Sequence, residues 1–369
     1  MRVVDVNPFF YPLRGGIEHR IHDTSRLLVE RGHEVTVITG RLPGTEKEET
    51  TPEGYRIIRL DSWFVNAYNP PFISSKNVLE SIVGIDPDIV NFNYRWAPSY
   101  SRDLRKYDGK KVFTYHNMWG EGVFFQKGFS EINDSLFRHS LDTFDHVIAV
   151  SDYVKNDLIR RRYSPSYITT VQTGLSKYPE EGNGAGGFIL SVGRLVRTKG
   201  LEYLVEAMKD VDYKLIICGK GPEEKRLTKR IKKLGLEEKI EMKGWVEEEE
   251  KERLMGSCRF FVMPSLFESL GLAAVELMAH GRPIIYTDMN GLPDTIKDGG
   301  ISVPKEDPVA LSKAMNLLLN DPAFNEMLGR QAFKQAQKYK WDGLISKIET
   351  VYEKVMSGEY SAADAYKTV

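Results

Sequence analysis

Two glutamates, Glu268 and Glu276, stand eight positions apart in the stretch Arg259 to Tyr286, RFFVMPSLFESLGLAAVELMAHGRPIIY. Phe260 to Met263 is a short apolar run bounded by Pro264, the pattern of a buried strand. Leu272, Val275, Leu277 and Met278 recur at helical spacing, and Gly281 follows as a C-cap. The loop between strand and helix carries Glu268, Ser269, Leu270 and Gly271 to the helix mouth. First-turn N–H groups there, with the positive end of the helix dipole behind them, can hold a diphosphate. Taken alone, a pair of acids at this spacing reads first as a loop Glu and a solvated helix Glu. Here Glu276 lies among Ala273, Ala274, Val275, Leu277, Met278 and Ala279, where a carboxylate requires a partner or a ligand. The two acids are expected to flank a small ligand at different depths.

Ligands of open α/β sheets bind beyond the carboxyl ends of strands, so polar residues that follow strands carry the chemistry. His116 comes directly after the run Lys111 to Tyr115. The other six histidines (His19, His22, His33, His139, His146 and His280) read as surface or satisfied core groups. Arg194 follows the strand Phe188 to Val192, and Lys199 opens the next helix. In isolation two such loop cations are solvated, and Arg197 between them is left so. Gly15 and Gly16 form a glycine turn at a helix start, but not a G-x-G-x-x-G, and a turn without a ligand is an equal reading. Asp86-Pro87-Asp88 matches D-x-D but precedes a strand, where Pro-Asp is a strand entry and not a metal site. Cys218 and Cys258 lie in or beside apolar runs, which supports neither a disulfide framework nor a cysteine metal cage and fits a reducing cytoplasm.

These residues sit on an alternation of strands and helices over 369 residues, more than one hydrophobic core usually holds. The alternation predicts parallel sheets with helices on both faces. Strands are expected at Val3 to Val6, Glu34 to Ile38, Tyr55 to Leu60, Asp88 to Phe92, Lys111 to Tyr115, His146 to Val150 and Ile168 to Gln172. Helices are expected at Ile17 to Arg31, Ile73 to Val83 and, behind the N-cap Ser151, Asp152 to Arg162. Ser176 to Gly187, rich in Gly, Pro and charge, reads as a linker. The pattern then restarts at Phe188. The expected domains are 1–175 and 188–340, with a last helix from Trp341 to Met356 and a weakly ordered tail over 357–369. Net charge is −1, so the chain has no global pull towards nucleic acid. No apolar run is long enough to span a bilayer, and MRVVDVNPFF reads as a first strand and not a leader.

The string PSLFESLGLAAVELMAHGRPII closely resembles the signature of the retaining nucleotide-sugar glycosyltransferases of the GT-B fold, family 4 type, also called glycosyl transferases group 1. GGIEHRIHDTSRLLVERGHEVTVIT resembles the opening of that family, and SVGRLVRTKGLEYLVEA its diphosphate-binding segment. The resemblance implies an α/β chain of two Rossmann-like domains facing each other across a cleft, with the C-terminal helix crossing back to the first domain. It implies an N-terminal acceptor domain and a C-terminal donor domain. The implied reaction moves a sugar from a UDP-, GDP- or ADP-sugar to a hydroxyl acceptor that is a glycan, lipid-linked or a small molecule, with no cofactor and no metal.

By the same resemblance, Gly15 and Gly16 let the first loop approach the donor, and His116 hydrogen-bonds the transferred sugar. Arg194 and Lys199 neutralise the departing diphosphate. The segment at Val246 holds the base, Glu268 faces the donor sugar, amides near Leu270 and Gly271 hold phosphate, and Glu276 binds the ribose. Asn93 stands where relatives often carry His, Thr173-Gly174 replaces Asn-Gly, and Ser269 replaces Gly. Aromatic and Pro-rich stretches, Asp61 to Pro71 and Tyr94 to Tyr100, fit an acceptor pocket. Arg102, Arg105, Lys106, Lys110 and Lys111, and Arg160 to Arg162, offer basic faces for peripheral contact at the inner membrane face, although solvated helix faces are the preferred reading. An epimerase or a non-catalytic nucleotide-sugar-binding protein on the same fold are the alternatives.

Overall fold

Apolar runs flanked by loops become strands buried on both sides, and their residues alternate between two cores. The computed structural model describes residues 1–65, 72–117, 125–176, 178–179 and 186–366. The chain divides into two compact units, Met1–Gly174 with Trp341–Val369, and Leu175–Lys340.

The first unit begins β1 (Arg2–Val6), α1 (Gly16–Glu30), β2 (Glu34–Gly40), β3 (Glu48–Thr50), β4 (Arg56–Leu60), β5 (Ser62–Val65) and β6 (Phe72–Ser75). It continues α2 (Val78–Ile85), β7 (Ile89–Phe92), α3 (Pro98–Lys106), β8 (Lys111–Tyr115), α4 (Phe125–Leu141), β9 (His146–Ala149), α5 (Asp152–Arg160) and β10 (Ile168–Thr170). Its main sheet has the order β10-β9-β8-β7-β1-β2-β4-β3, parallel except for the edge strand β3. The expected helix from Ile73 is shorter than the pattern suggested. Phe72–Ser75 instead pairs antiparallel with Ser62–Val65, and the helix starts only after Asn77, whose left-handed φ of 57° ends the extended run. Pairing with a partner strand overrides the local apolar pattern there. Helices α3 and α4 had no counterpart among the expected elements. Of the acceptor-pocket stretch Asp61 to Pro71, residues 66–71 lie outside the described residues, as does most of the 176–187 linker.

The second unit runs β11 (Phe188–Val192), α6 (Leu201–Ala207), β12 (Lys214–Cys218), α7 (Glu224–Lys233), β13 (Ile240–Gly244), α8 (Glu248–Ser257), β14 (Phe260–Met263) and α9 (Leu272–Ala279). Then follow β15 (Ile284–Thr287), α10 (Leu292–Ile296), β16 (Gly300–Val303), α11 (Pro308–Asn320) and α12 (Pro322–Ala336). Its order is β13-β12-β11-β14-β15-β16, all parallel, which is the doubly wound 3-2-1-4-5-6 arrangement. Ile189, Leu215, Ile217, Phe260 and Val262 point to a core shared with α6, α7 and α11. Leu190, Ile216, Phe261 and Met263 point the other way, to a core shared with α8, α9 and α12. This alternation is the period-2 pleat of a strand covered on both faces.

The last helix, α13 (Trp341–Met356), packs in the first unit. Trp341, Leu344, Ile345, Ile348, Val351, Tyr352 and Val355 share a core with Val3, Val35, Val37 and Ile21. Trp341 Nε1 donates to Asp23 Oδ2 at 3.0 Å. Residues 357–366 behind it are held by contacts, contrary to expectation, and 367–369 lie outside the described residues. Tyr360 stacks on His146 at 3.9 Å between centroids and 7° between planes. Ser361 and Asp364 form a capping box, and the Ser164 amide donates to Ala365 O. Tyr366 donates to Asp142 Oδ1 at 2.6 Å and lies under Arg138. Aromatic stacking, not composition, orders this segment.

Candidate functional site

In the second sheet β11 and β14 are adjacent, and the chain leaves them towards opposite faces. That divergence opens a crevice beyond their carboxyl ends, the place where doubly wound sheets bind ligands. Gly193, Arg194, Lys199, Ser191, Pro264 and Ser265 line it. Lys199 ends a single turn, Arg197–Lys199, closed by Gly200 at φ +60°. A side chain at Gly200 would stand 2.0 Å from the Pro264 carbonyl, so only glycine lets the two loops meet. Leu266 N donates to Thr198 O at 2.7 Å, which ties the β14–α9 loop to the same turn.

That loop carries Glu268, whose Oε2 accepts a hydrogen bond from Lys199 Nζ in an ion pair that is mostly shielded from water. The charge of Lys199 is thus already answered by Glu268. Arg194 is exposed and forms no ion pair or side-chain hydrogen bond among the described residues. Gly291 N donates to Glu268 O, and Thr295 Oγ1 donates to Leu270 O at 2.7 Å, which holds the loop from the far side. Gly271 is the N-cap of α9 with φ +79°, and no side chain caps the helix. First-turn amides thus remain donors without a competing side chain.

Glu276, one turn into α9, is three-quarters covered, and Lys251 Nζ lies 3.4 Å from both of its carboxylate oxygens. Burial pushes this carboxyl above its ordinary range, and Lys251 opposes the shift. Lys251 is a residue that sequence reasoning missed, because it stands inside the acidic run EEEEKE, which reads as a solvated face. Val246 is half-buried against the same core as Leu270 and Ala274. Trp245 beside it is exposed, after Gly244 at φ +73°. Glu268 and Glu276 therefore belong to one unit, each beside a lysine, and Arg194, Lys199 and Gly271 lie on the loops around them.

The first sheet diverges between β1 and β7. Gly15 is the uncapped N-cap of α1 with extended backbone, and Gly16 has open space where a side chain would stand. Neither glycine is required for a tight turn. His116 lies past β8, mostly buried, with Nε2 3.0 Å from Asn93 Oδ1. Burial, with the charges of Arg20 and Arg95, holds its imidazole well below the ordinary pKa, hence neutral. Arg95, which sequence reasoning placed only within an aromatic stretch, forms a buried ion pair with Asp134 of α4 and lies over the rings of Trp96 and Tyr115.

Of the basic faces, Lys111 is withdrawn: it is buried and donates to Leu104 O and Tyr107 O. Lys110 pairs with Asp145, Arg102 with Asp103, and Arg160 and Arg161 with Asp157. Asp86 and Asp88 serve Arg2, by an ion pair at 2.9 Å and a backbone cap at 2.6 Å. Among the described residues no cluster of three or more His, Cys, Asp or Glu is placed to hold a metal ion. No described helix is long and apolar enough to cross a membrane.

Two doubly wound units define the GT-B class of glycosyltransferase fold. Known structures agree: the sucrose-phosphate synthase of Thermosynechococcus elongatus superposes with a TM-score of 0.81 at 21% identity, covering 97% of this chain and 99% of that one. Anabaena HepE in complex with UDP-glucose superposes at 0.76 and 16%, covering 97% and 100%. The glycosyl transferases group 1 model matches residues 179–335, and the Glycosyltransferase Family 4 model matches 14–176. The chain belongs to this glycosyltransferase family. Among curated relatives, an uncharacterized glycosyltransferase of Methanocaldococcus jannaschii, MJ1178, is 28% identical over 80% of this chain and 81% of its own length. A phosphatidyl-myo-inositol mannosyltransferase of Mycobacterium leprae is 25% identical over 96% and 97%.

Proposed function

We propose that this glycosyltransferase moves a sugar, with retention at the anomeric carbon, from a nucleoside diphosphate sugar to a hydroxyl acceptor without a divalent metal. The observation that carries the reading is the group at the β11–β14 crevice: an open Arg194, the Lys199–Glu268 pair, and the uncapped end of α9. In this reading the second unit is the donor domain. Arg194 forks onto the diphosphate, Lys199 adds a point charge, and α9 contributes its amides. These fixed positive groups stabilise the charge that grows on the leaving diphosphate as the C1–O bond breaks. Glu268 meets the donor sugar, Glu276 the ribose, and the Val246 segment the base. Neutral His116 accepts or donates one hydrogen bond to a sugar hydroxyl and does not serve as a general base. Gly15 and Gly16 leave room for the donor. The departing diphosphate takes the acceptor proton on the face it leaves, which conserves configuration.

The acceptor belongs to the first unit in this reading. A relative is named for mannosyl transfer to phosphatidyl-myo-inositol, which makes a lipid-linked hydroxyl the first acceptor class to test, ahead of glycans and small molecules. Such an acceptor would bring the chain to the inner membrane face as a peripheral protein. The experiment is a screen of UDP-, GDP- and ADP-sugars against phosphatidylinositol and glycan acceptors, with EDTA present. Released nucleoside diphosphate and a glycoside of unchanged anomeric configuration are expected. An isomerised nucleotide sugar, an inverted product or an absolute need for metal would overturn the reading.

A further inference from the structure

A buried carboxylate stands behind His116. Asp5, at the end of β1, is only 1% exposed. Its Oδ1 accepts from Asn91 Nδ2 at 2.6 Å and from Asn93 Nδ2 at 3.1 Å. Asn91 Oδ1 in turn accepts from Thr114 Oγ1 at 2.8 Å, and Asn93 Oδ1 lies 3.0 Å from His116 Nε2. Burial lifts the Asp5 carboxyl to about 6, against the hydrogen bonds from Asn91 and Asn93 and the charge of Arg20. Asp5 Oδ1 is the acceptor of both contacts, so both amides turn their NH2 groups towards it. The oxygen of Asn93 is then the atom left facing His116, and a carbonyl cannot donate. The proton between them belongs to Nε2. Among the described residues His116 makes no other hydrogen bond.

We propose that Asp5, acting through Asn93, is a positioning residue that holds His116 in its Nε2–H tautomer and leaves Nδ1 as the ring's acceptor for a donor hydroxyl. The inference rests on the reading that His116 meets the donor sugar. The amide between acid and imidazole passes on orientation without passing on charge. A carboxylate placed directly on Nε2–H would favour the imidazolium. Burial keeps the ring neutral, and the charges of Arg20 of α1 and Arg95 after β7 act in the same direction. A merely structural tie between β1, β7 and β8 would need the same hydrogen bonds but would leave the tautomer without effect on turnover.

The test is a proton–nitrogen correlation spectrum of ligand-free protein labelled with 15N in its imidazole rings, with His116 identified by its loss in His116→Gln. One exchange-protected proton on Nε2 is expected. Asp5→Asn keeps an acceptor oxygen and should keep that signal and most of the turnover. Asp5→Leu frees the Asn93 amide to flip, and should move the proton to Nδ1. It should also lower kcat by about 10-fold or more with KM for the donor little changed, the scale on which an outer hydrogen-bond partner acts. If Asp5→Leu does not fold, Asn93→Leu should lose the protected Nε2–H signal with the same fall in kcat. A wild-type proton on Nδ1, or an Nε2–H and turnover unchanged in the leucine variants, overturns the proposal. A relocated proton with unchanged kcat overturns it too, without touching the donor-site reading, which the Lys199 and Glu268 variants decide.

Discussion

Replacing Glu268 by Gln should do opposite things to binding and to turnover. Lys199 is held by Glu268, with their side chains 24% and 15% exposed. An exposed pair is worth about 0.2–1 kcal/mol, and shielding from water puts this one near the upper end, about 1 kcal/mol. A diphosphate that recruits Lys199 must first overcome that attraction. Glu268→Gln removes it, so UDP, GDP or ADP should bind about 5-fold more tightly. Lys199→Ala removes a charged hydrogen bond worth about 1.5–3 kcal/mol, so the same nucleotide should bind roughly 10- to 100-fold more weakly. Turnover should fall in both, by about 100-fold, because each variant loses a group that acts as the C1–O bond breaks. In the double variant, Glu268→Gln should no longer tighten binding, since the lysine it released is gone. Isothermal titration with the nucleotide and steady-state rates measure both quantities. Equal weakening of nucleotide binding in the two single variants, or wild-type turnover in either, would refute the reasoning.

Three further outcomes follow from named contacts. Gly200→Ala places a methyl group 2.0 Å from the Pro264 carbonyl at a positive φ. It should cost about 2–4 kcal/mol, seen as a lowered denaturation midpoint, and a midpoint within error of wild type would contradict the geometry. Burial, joined by the charge of Lys155, holds His146 down at about 3. The unfolded chain then binds a proton that the folded chain does not, so stability should fall as pH drops from about 6.5 towards about 3, by several kcal/mol in total. His146→Gln should flatten that slope in denaturant titrations. Asp5 acts with the opposite sign over a narrower span. Raised to about 6, it keeps a proton when folded that it loses when unfolded, so its contribution is present below about 3.9 and lost as pH rises through about 6. Tyr360→Ala removes the ring stacked on His146 and should cost about 1–3 kcal/mol while leaving nucleotide affinity unchanged.

Sequence alone carried the alternation of elements and the loops that bear the candidate site. Helix α9 and strands β8, β11, β12 and β14 have the bounds that their apolar spacing indicates, because strands covered on both faces leave long unbroken apolar runs and glycines mark their ends. His116, Arg194, Lys199, Glu268 and Glu276 were legible as residues placed just beyond strands or at a helix mouth. Their partners were not. Which acid neutralises Lys199, and that Lys251 stands over Glu276, depends on contacts between residues 69 and 25 positions apart, which no local pattern encodes. The β5–β6 hairpin was hidden for a related reason: strand pairing is a property of two segments, and one of them alone, Ile73-Ser74-Ser75, resembles a helix start. The tail over 357–366 has a polar composition, yet Tyr360 and Tyr366 find rings and cations on α4, β9 and their neighbours, and that order exists only once the sheet has formed. Asp5 reads as one acid in a first strand. Only the folding of β1 beside β7 brings two asparagines to it, and with them the orientation of the histidine one strand further on.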